Sequence, residues 1–381
     1  MRKLITWPVA IMMVLNIGQL PIFAAVQTLT GNGLTLTYND TNCGAGVSAS
    51  DCNTIMRTAF DKTAGQFQLP GLKDYLSYMS TAQSVTTKGH GVDYTTNPSL
   101  FVVGVSGGMG IEVGEKSLSE AAQSYKNSGS VPAFGTAFQF SAMGGINLGA
   151  IKSLPAFGPV DLKRLTVYAH AGALDITSLV SVDGLNIRSN QFGLHGKYKV
   201  IESKSLGFGT LNWGGFDLIS GLTVANNTIK YQKNFDAQTS GSGTISDPAI
   251  SIAPTGSITT SNSAVAIPFE VATSVRVLYV LSLFGGTGID LNFGRSSVEM
   301  DVRSLSVTST VAGTTTNLTD ASIKLNASES SGGRFGDVRF FGGMAINLIP
   351  LRNTNMLSLV IQGNVTAGGS YSTMMGVRAG W

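Results

Sequence analysis

From Leu100 to its end the chain alternates between apolar and polar positions. Val103, Val105, Met109, Ile111 and Val113 share one face, with Ser106 and Glu112 opposite. Phe138, Phe140, Ile146 and Leu148 oppose Gln139, Ser141 and Asn147, and Leu165, Val167, Ala169, Ala171 and Ala173 oppose Arg164, Thr166, Tyr168 and His170. The same two-faced pattern returns with Phe269 to Leu283 against Glu270, Ser274, Arg276 and Ser282. It returns again with Val338 to Leu348 against Asp337, Arg339 and Asn347, and with Leu357 to Val365 against Ser358, Gln362 and Asn364. A period of two predicts half-buried strands. Weaker strand signals fall near 185–200, 204–212, 215–224, 227–233, 287–303 and 305–312.

Residues 26–97 read differently. Leu72, Tyr75, Leu76 and Met79 fall at i, i+3, i+4 and i+7, which predicts a helix starting near Pro70-Gly71. A second helical stretch, 53–66, carries Ile55, Met56, Ala59 and Phe60, with Asp51 as its N-cap. A segment of this size has little core of its own, so it is expected as a plug in a larger body or as a periplasmic subdomain. At the front, Arg2 and Lys3 precede an apolar stretch that exits through Ile22-Phe23-Ala24-Ala25, the form of a secretory signal peptide over 1–25.

Composition narrows the choices. Charged residues are only 12% of the chain, while 47 are Gly. Without Arg2 and Lys3, basic and acidic residues nearly balance, which disfavours nucleic acid as a partner. After the signal no apolar run is long enough for a spanning helix. An exported, apolar chain without such helices has one membrane solution, a closed barrel that satisfies its backbone internally. At roughly twenty residues per strand and connection, 98–381 would form an all-β transmembrane antiparallel barrel of about fourteen strands, with twelve and sixteen open. The polar stretches 115–132, 231–264 and 310–334 are candidate surface loops. A secreted soluble β-protein remains the alternative.

Two resemblances follow from particular residues. The terminal stretch Tyr371 to Trp381 alternates to an aromatic at the last position, with Tyr371, Met375, Val377 and Trp381 on one face. It resembles the C-terminal assembly signal of bacterial outer-membrane β-barrels, implying export to the outer membrane through the barrel assembly machinery. Its surroundings would then be outer-membrane lipids and lipopolysaccharide. Asn97-Pro98-Ser99, between the helical segment and the first strand, is similar to the hatch motif of the long-chain fatty-acid transporter (FadL-like) family, with Ser99 departing from its Ala. Asn-Pro is equally a turn initiator. The resemblance implies passive uptake of small, hydrophobic solutes past a movable hatch.

Little points to covalent chemistry. Gly104-Val105-Ser106-Gly107-Gly108 fits the G-x-S-x-G pattern, but that motif requires a strand-to-helix elbow, and here the alternation runs straight through. His90, His170 and His195 lie far apart in sequence, without ligand-spaced neighbours. No cofactor, metal or enzyme activity is expected. Cys43 and Cys52 are nine positions apart and predict a local disulfide in an oxidising compartment. The candidate lumen-facing residues are Glu112, Arg164, His170, Glu270, Arg276, Asp337, Arg339, Gln362 and Arg378. The expected function is passive uptake of small solutes through an outer-membrane channel or transporter, the N-terminal helices and low luminal charge tilting it to a plugged transporter. The alternatives are an open porin lined by charge and a surface-exposed adhesin or interaction barrel displaying its Ser/Thr-rich loops.

Overall fold

Alternation becomes strand wherever one face meets an apolar surrounding and the other a packed interior. The computed structural model describes residues 24–25, 35–37, 54, 58, 67–68, 72–95, 100–114, 119–120, 134–151, 161–175, 185–206, 210–234, 238–244, 249–317, 322–350 and 355–381. Most of residues 1–25, expected as a signal peptide, lie outside the described residues, as do Cys43, Cys52, Asn97, Pro98 and Ser99 and nearly all of 53–66, expected as helical.

The helix expected to start near Pro70-Gly71 forms as α1, Leu72–Thr86. Ten of the strands that follow form a ring: β1 Phe101–Glu112, β2 Gly135–Asn147, β3 Leu165–Asp175, β4 Leu185–Ile201 and β5 Leu211–Asn234; then β6 Ala249–Val277, β7 Leu281–Val311, β8 Gly336–Pro350, β9 Asn355–Thr366 and β10 Ser370–Gly380. Each pairs antiparallel with the next, and β10 pairs back onto β1, so the ring is closed. Within this ring no strand is an edge strand, the condition for backbone in a bilayer. The last residue takes part: Trp381 N–H donates to the Phe101 carbonyl at 3.0 Å, and the Trp381 carbonyl accepts from Leu100 and Phe101. The two rings meet edge to face at 3.9 Å.

The whole sheet comprises fifteen strand segments, close to the expected count, whereas the closed circuit uses ten. The difference comes from strand length. The weak signals at 215–224 and 227–233 are one strand, β5, and those at 287–303 and 305–312 are one strand, β7. Ser322–Gly332 continues the line of β8 upward, pairing with the upper part of β7 while β8 pairs with the lower part. The polar stretches 231–264 and 310–334, expected as loops, therefore consist largely of paired strand.

The barrel end that holds Leu100 and Trp381 is its lower end here. Large exposed apolar side chains, among them Phe192, Leu194, Phe269, Phe293, Val338 and Phe340, form a belt round the lower part of the outer surface. Among the described residues none is exposed between Leu222 and Phe269, or between Phe293 and Phe335. Those are the spans where β5, β6 and β7 rise above the upper ends of the strand pairs at Glu112/Gly135 and Thr366/Ser370. Among the described residues the upper wall shows no large apolar side chain outside; the belt does. An apolar outer band below polar extensions is the surface of an outer-membrane barrel.

Candidate functional site

The lumen is the candidate site, and the chain's own N-terminal part fills it. From Met79 to Thr95 the chain is buried throughout, whereas the first turn of α1 keeps Lys73 and Asp74 exposed; α1 packs against β1, β2, β5, β6, β7 and β10. The α1 stripe is the expected one: Leu76 packs on Val298, with Leu72, Tyr75 and Ile258 around it. Glycines on the wall make the space. A Cβ at Gly110 would strike Thr86, at Gly114 the Tyr78 ring, at Gly135 the Tyr78 and Met79 backbone, and at Gly294 or Gly333 the Ser80 side chain. Hydrogen bonds fasten the contact: Arg334 N–H donates to Thr81 Oγ1 at 3.1 Å, and Thr86 Oγ1 donates to the Ala137 carbonyl at 3.4 Å.

Below the helix, residues 88–95 are held by charge. Lys88 Nζ lies 3.2 Å from Asp290 and donates to Asn292 at 3.4 Å. Asp290 also accepts from Arg339 Nε at 2.8 Å. Arg339 is fully buried, donates to Asn364 at 2.8 Å, pairs closely with Glu270, and lies over the Phe341 ring at 5.0 Å. Tyr94 donates to the other oxygen of Glu270 at 2.8 Å. Asp93 meets Arg378 at 3.3 Å, its carbonyl accepts from Lys197 at 2.6 Å, and its carboxylate also accepts from Thr95. Each carboxylate in this group has a cation beside it. Burying an ion without a partner costs several kcal/mol, so the cluster holds together only as a set.

At the base, Val92 and Tyr94 sit in an apolar collar that includes Val102, Met143, Ile219 and Val360. Tyr94 stacks on Phe284 at 5.5 Å and leans on Phe341 at 4.8 Å. Here a packing rule emerges. Phe284 stands opposite Gly343 and Phe341 opposite Gly286 across one strand pair. Tyr168 stands opposite Gly145, His170 opposite Gly193 and His195 opposite Gly221. In all five a Cβ on the glycine would run into the ring. A narrow lumen takes a ring pointing inward only if the neighbouring strand leaves room, which accounts for much of the glycine content.

Of the expected lumen-facing residues, Glu112, His170, Glu270, Arg276, Arg339, Gln362 and Arg378 are buried. Glu270, Arg339 and Arg378 belong to the charge cluster, and Gln362 donates to Asn364 beside it at 3.0 Å. Arg276 lies lower, over the Tyr279 ring at 5.5 Å. Glu112 and Asp337 meet at the top of the short hairpins through Arg334, at 3.1 and 2.7 Å, and Glu112 also accepts a close bond from Ser370. Arg164 is a correction: it sits on a turn just before β3 at the lower end, its side chain 40% exposed, pairing with Glu202 at 3.3 Å. The assembly-face residues Tyr371, Met375, Val377 and Trp381 all face outward.

The three histidines, distant in sequence, converge in the fold. His170 and His195 stack at 5.2 Å, and Gly91, next to His90, packs against the His170 ring. His90 Nδ1 lies 2.8 Å from Ser106 Oγ. That serine is the centre of the G-x-S-x-G match, in a straight strand as expected. Phe284, Phe341, Lys88, Asp93 and Tyr94 escaped sequence reasoning. The first two occupy polar-phase positions of apolar strands, each followed by two glycines, a readable signal; the other three lie between recognisable elements.

A family model described as Lsa36-like matches residues 34–381. No curated protein matches the chain. Among solved structures, the transport unit of the autotransporter AIDA-I from Escherichia coli is 13% identical, covering 81% of this chain and 99% of that one, with a TM-score of 0.33. The translocator domain of autotransporter NalP from Neisseria meningitidis is 9% identical, over 74% and 90%, with a TM-score of 0.25. The Ralstonia pickettii toluene transporter TbuX is 7% identical, over 80% and 99%, with a TM-score of 0.25. Likeness at this level carries no functional argument; the family match, which spans nearly the whole sequence, does identify the chain. It belongs to the Lsa36-like family.

Proposed function

We propose that this outer-membrane barrel is closed to free diffusion and acts as a surface interaction protein, presenting its tall polar wall to partners outside the cell. The observation that carries this is the seat of α1: five glycines, on β1, β2 and β7 and just past the ends of β1 and Ser322–Gly332, leave room for a helix, and Met79 to Thr95 are buried against the wall. A protein with a sealed lumen works through what it shows at its surface. Here that is the upper part of β5, β6, β7 and Ser322–Gly332, rich in Ser, Thr and Asn and free of large exposed apolar groups among the described residues. Such a surface suits a hydrogen-bonding macromolecular partner.

The test pairs two measurements on the full chain. Inserted into planar bilayers, the protein should give no steady conductance, while cells displaying it should adhere to an epithelial monolayer. Replacing 232–257 by a short Gly-containing turn should abolish adherence and leave insertion intact. Stable open-channel steps from the unaltered protein would sink this reading.

A second reading, gated uptake of small solutes as in the FadL-like resemblance, rests on one observation. Several buried polar atoms in the lumen, on Gln83, Gln139, His170 and Asn227 among others, have no protein partner. Groups of this kind suit a hydrated route that opens when residues 88–95 shift. For a hydrophobic solute only the collar round Tyr94 is apolar, so the polar lumen favours small polar solutes.

A further inference from the structure

Following the chain from Leu72 to Leu100, its contacts move steadily down the barrel wall. Leu76 meets Val298, seventeen positions up β7 from its lower end at Leu281. Ser80 meets Gly294, thirteen up. Lys88 meets Asp290, nine up. Tyr94 packs on Phe284, only three up, and Leu100 bonds Trp381 at the very base. The neighbouring strands report the same descent: Thr86 abuts Gly110 near the top of β1, His90 bonds Ser106 lower on it, and Asp93 reaches Arg378 near the base of β10. The chain therefore enters the lumen at the upper end, at Leu72. Its Thr35–Thr37 pairs with Ser322–Lys324, and Lys324 in turn pairs with Arg303, high on β7. Leu281 to Arg303 is twenty-two steps, roughly 70 Å of strand at about 3.3 Å per residue, against an apolar band of about 25 Å.

We propose that the barrel carries its own N-terminal segment through its lumen, so that the chain ahead of Leu72, including Thr35–Thr37, stands outside the cell while Leu100 and Trp381 face the periplasm. The sidedness rests on the outer-membrane barrel reading and on one rule, that barrels extend on the extracellular side and turn briefly on the periplasmic side. The tight turn Leu278–Val280 is at the lower end, and the tall wall is at the upper. The segment is thus neither a periplasmic cap nor a hatch entering from below. It is an exported strand and helix, delivered by the barrel that closes around it. The interaction surface then has two parts: the tall wall, and an N-terminal strand added to its edge. Residues 88–95 act as the anchor, their ions paired with the wall so that the thread cannot slide.

Two variants of the full-length protein test this. An epitope inserted after Thr37 should be bound by antibody on intact cells, and the same epitope inserted in the lower turn Leu278–Val280 should be bound only after permeabilisation. An epitope after Thr37 that stays hidden on intact cells, in protein shown to be folded in the membrane, would overturn the proposal. The second variant needs no insertion. A Cβ at Gly333 would stand 3.1 Å from the Ser80 Cβ, so Ser80→Cys with Gly333→Cys, in a Cys43→Ser/Cys52→Ser background, should form a reducible cross-link in most of the inserted protein. Folded protein lacking that cross-link would place the helix elsewhere and defeat the threading. Loss of adherence with the epitope still accessible would instead count against the interaction function alone.

Discussion

Arg339 shows how one side chain can organise a lumen. It has no solvent contact and binds Glu270, Asp290 and Asn364, while Asp290 also holds Lys88 and Glu270 also holds Tyr94. Arg339→Ala would leave buried Glu270 without a cation and Asp290 with Lys88 alone, at a cost of about 3–5 kcal/mol for a broken buried pair. The expected result is a clear fall in the temperature at which the folded form converts to the slower-migrating band on SDS gels. Lys88→Met removes a cation from the thread rather than the wall. It should release residues 88–95 and admit brief conductance events while the barrel stays folded. Glycines carry the complementary message. Gly135→Ala would drive a methyl group into the Tyr78–Met79 backbone, which cannot yield as a side chain can. Planar-bilayer recording should find this variant leaky where the unaltered protein is silent, with heat-modifiable folding retained. Of these residues, Glu270 and Arg339 were legible from phase alone; Lys88 and Tyr94 were not, because no periodic pattern places them against anything.

At the scale of the element, strands were legible where their two faces meet different surroundings and illegible where they do not. β1, β2 and β3 face lipid on one side and a packed lumen on the other, so Val103/Ser106, Phe140/Ser141 and Val167/Thr166 alternate cleanly. Above the belt, β6 and β7 have polar surroundings outside as well as in. Ser-Ile-Thr-Thr-Ser-Asn-Ser, 257–263, therefore reads as loop, although it is paired on both sides with β5 and β7. β10 is the opposite case, readable to its last residue because each outward position from Tyr371 onward meets the belt. Removing Trp381 deletes its backbone bonds to Leu100 and Phe101 together with the ring contact. The closing seam should form less efficiently, and a smaller fraction of exported chain should reach the folded, heat-modifiable form.

For the whole molecule, the question is what a ring of ten can contain. Small barrels are filled by their own side chains, and this one admits a helix only because its wall is thinned by glycine along the helix's path. Alternation, the scarcity of charge, the terminal aromatic and the amphipathic stripe over Leu72–Met79 together determined an antiparallel barrel with a short helical segment before it. These are local properties: each face of a strand records the medium it meets, and that record survives in the order of residues. The circuit of ten, the five ring-over-glycine pairs, the convergence of His90, His170 and His195, and the downward path of residues 72–100 were decided by tertiary structure alone. Each depends on which strand lies beside which and on how high one residue stands against another. Register is fixed by pairing between segments as distant as β1 and β10, and no periodicity within a single segment contains it.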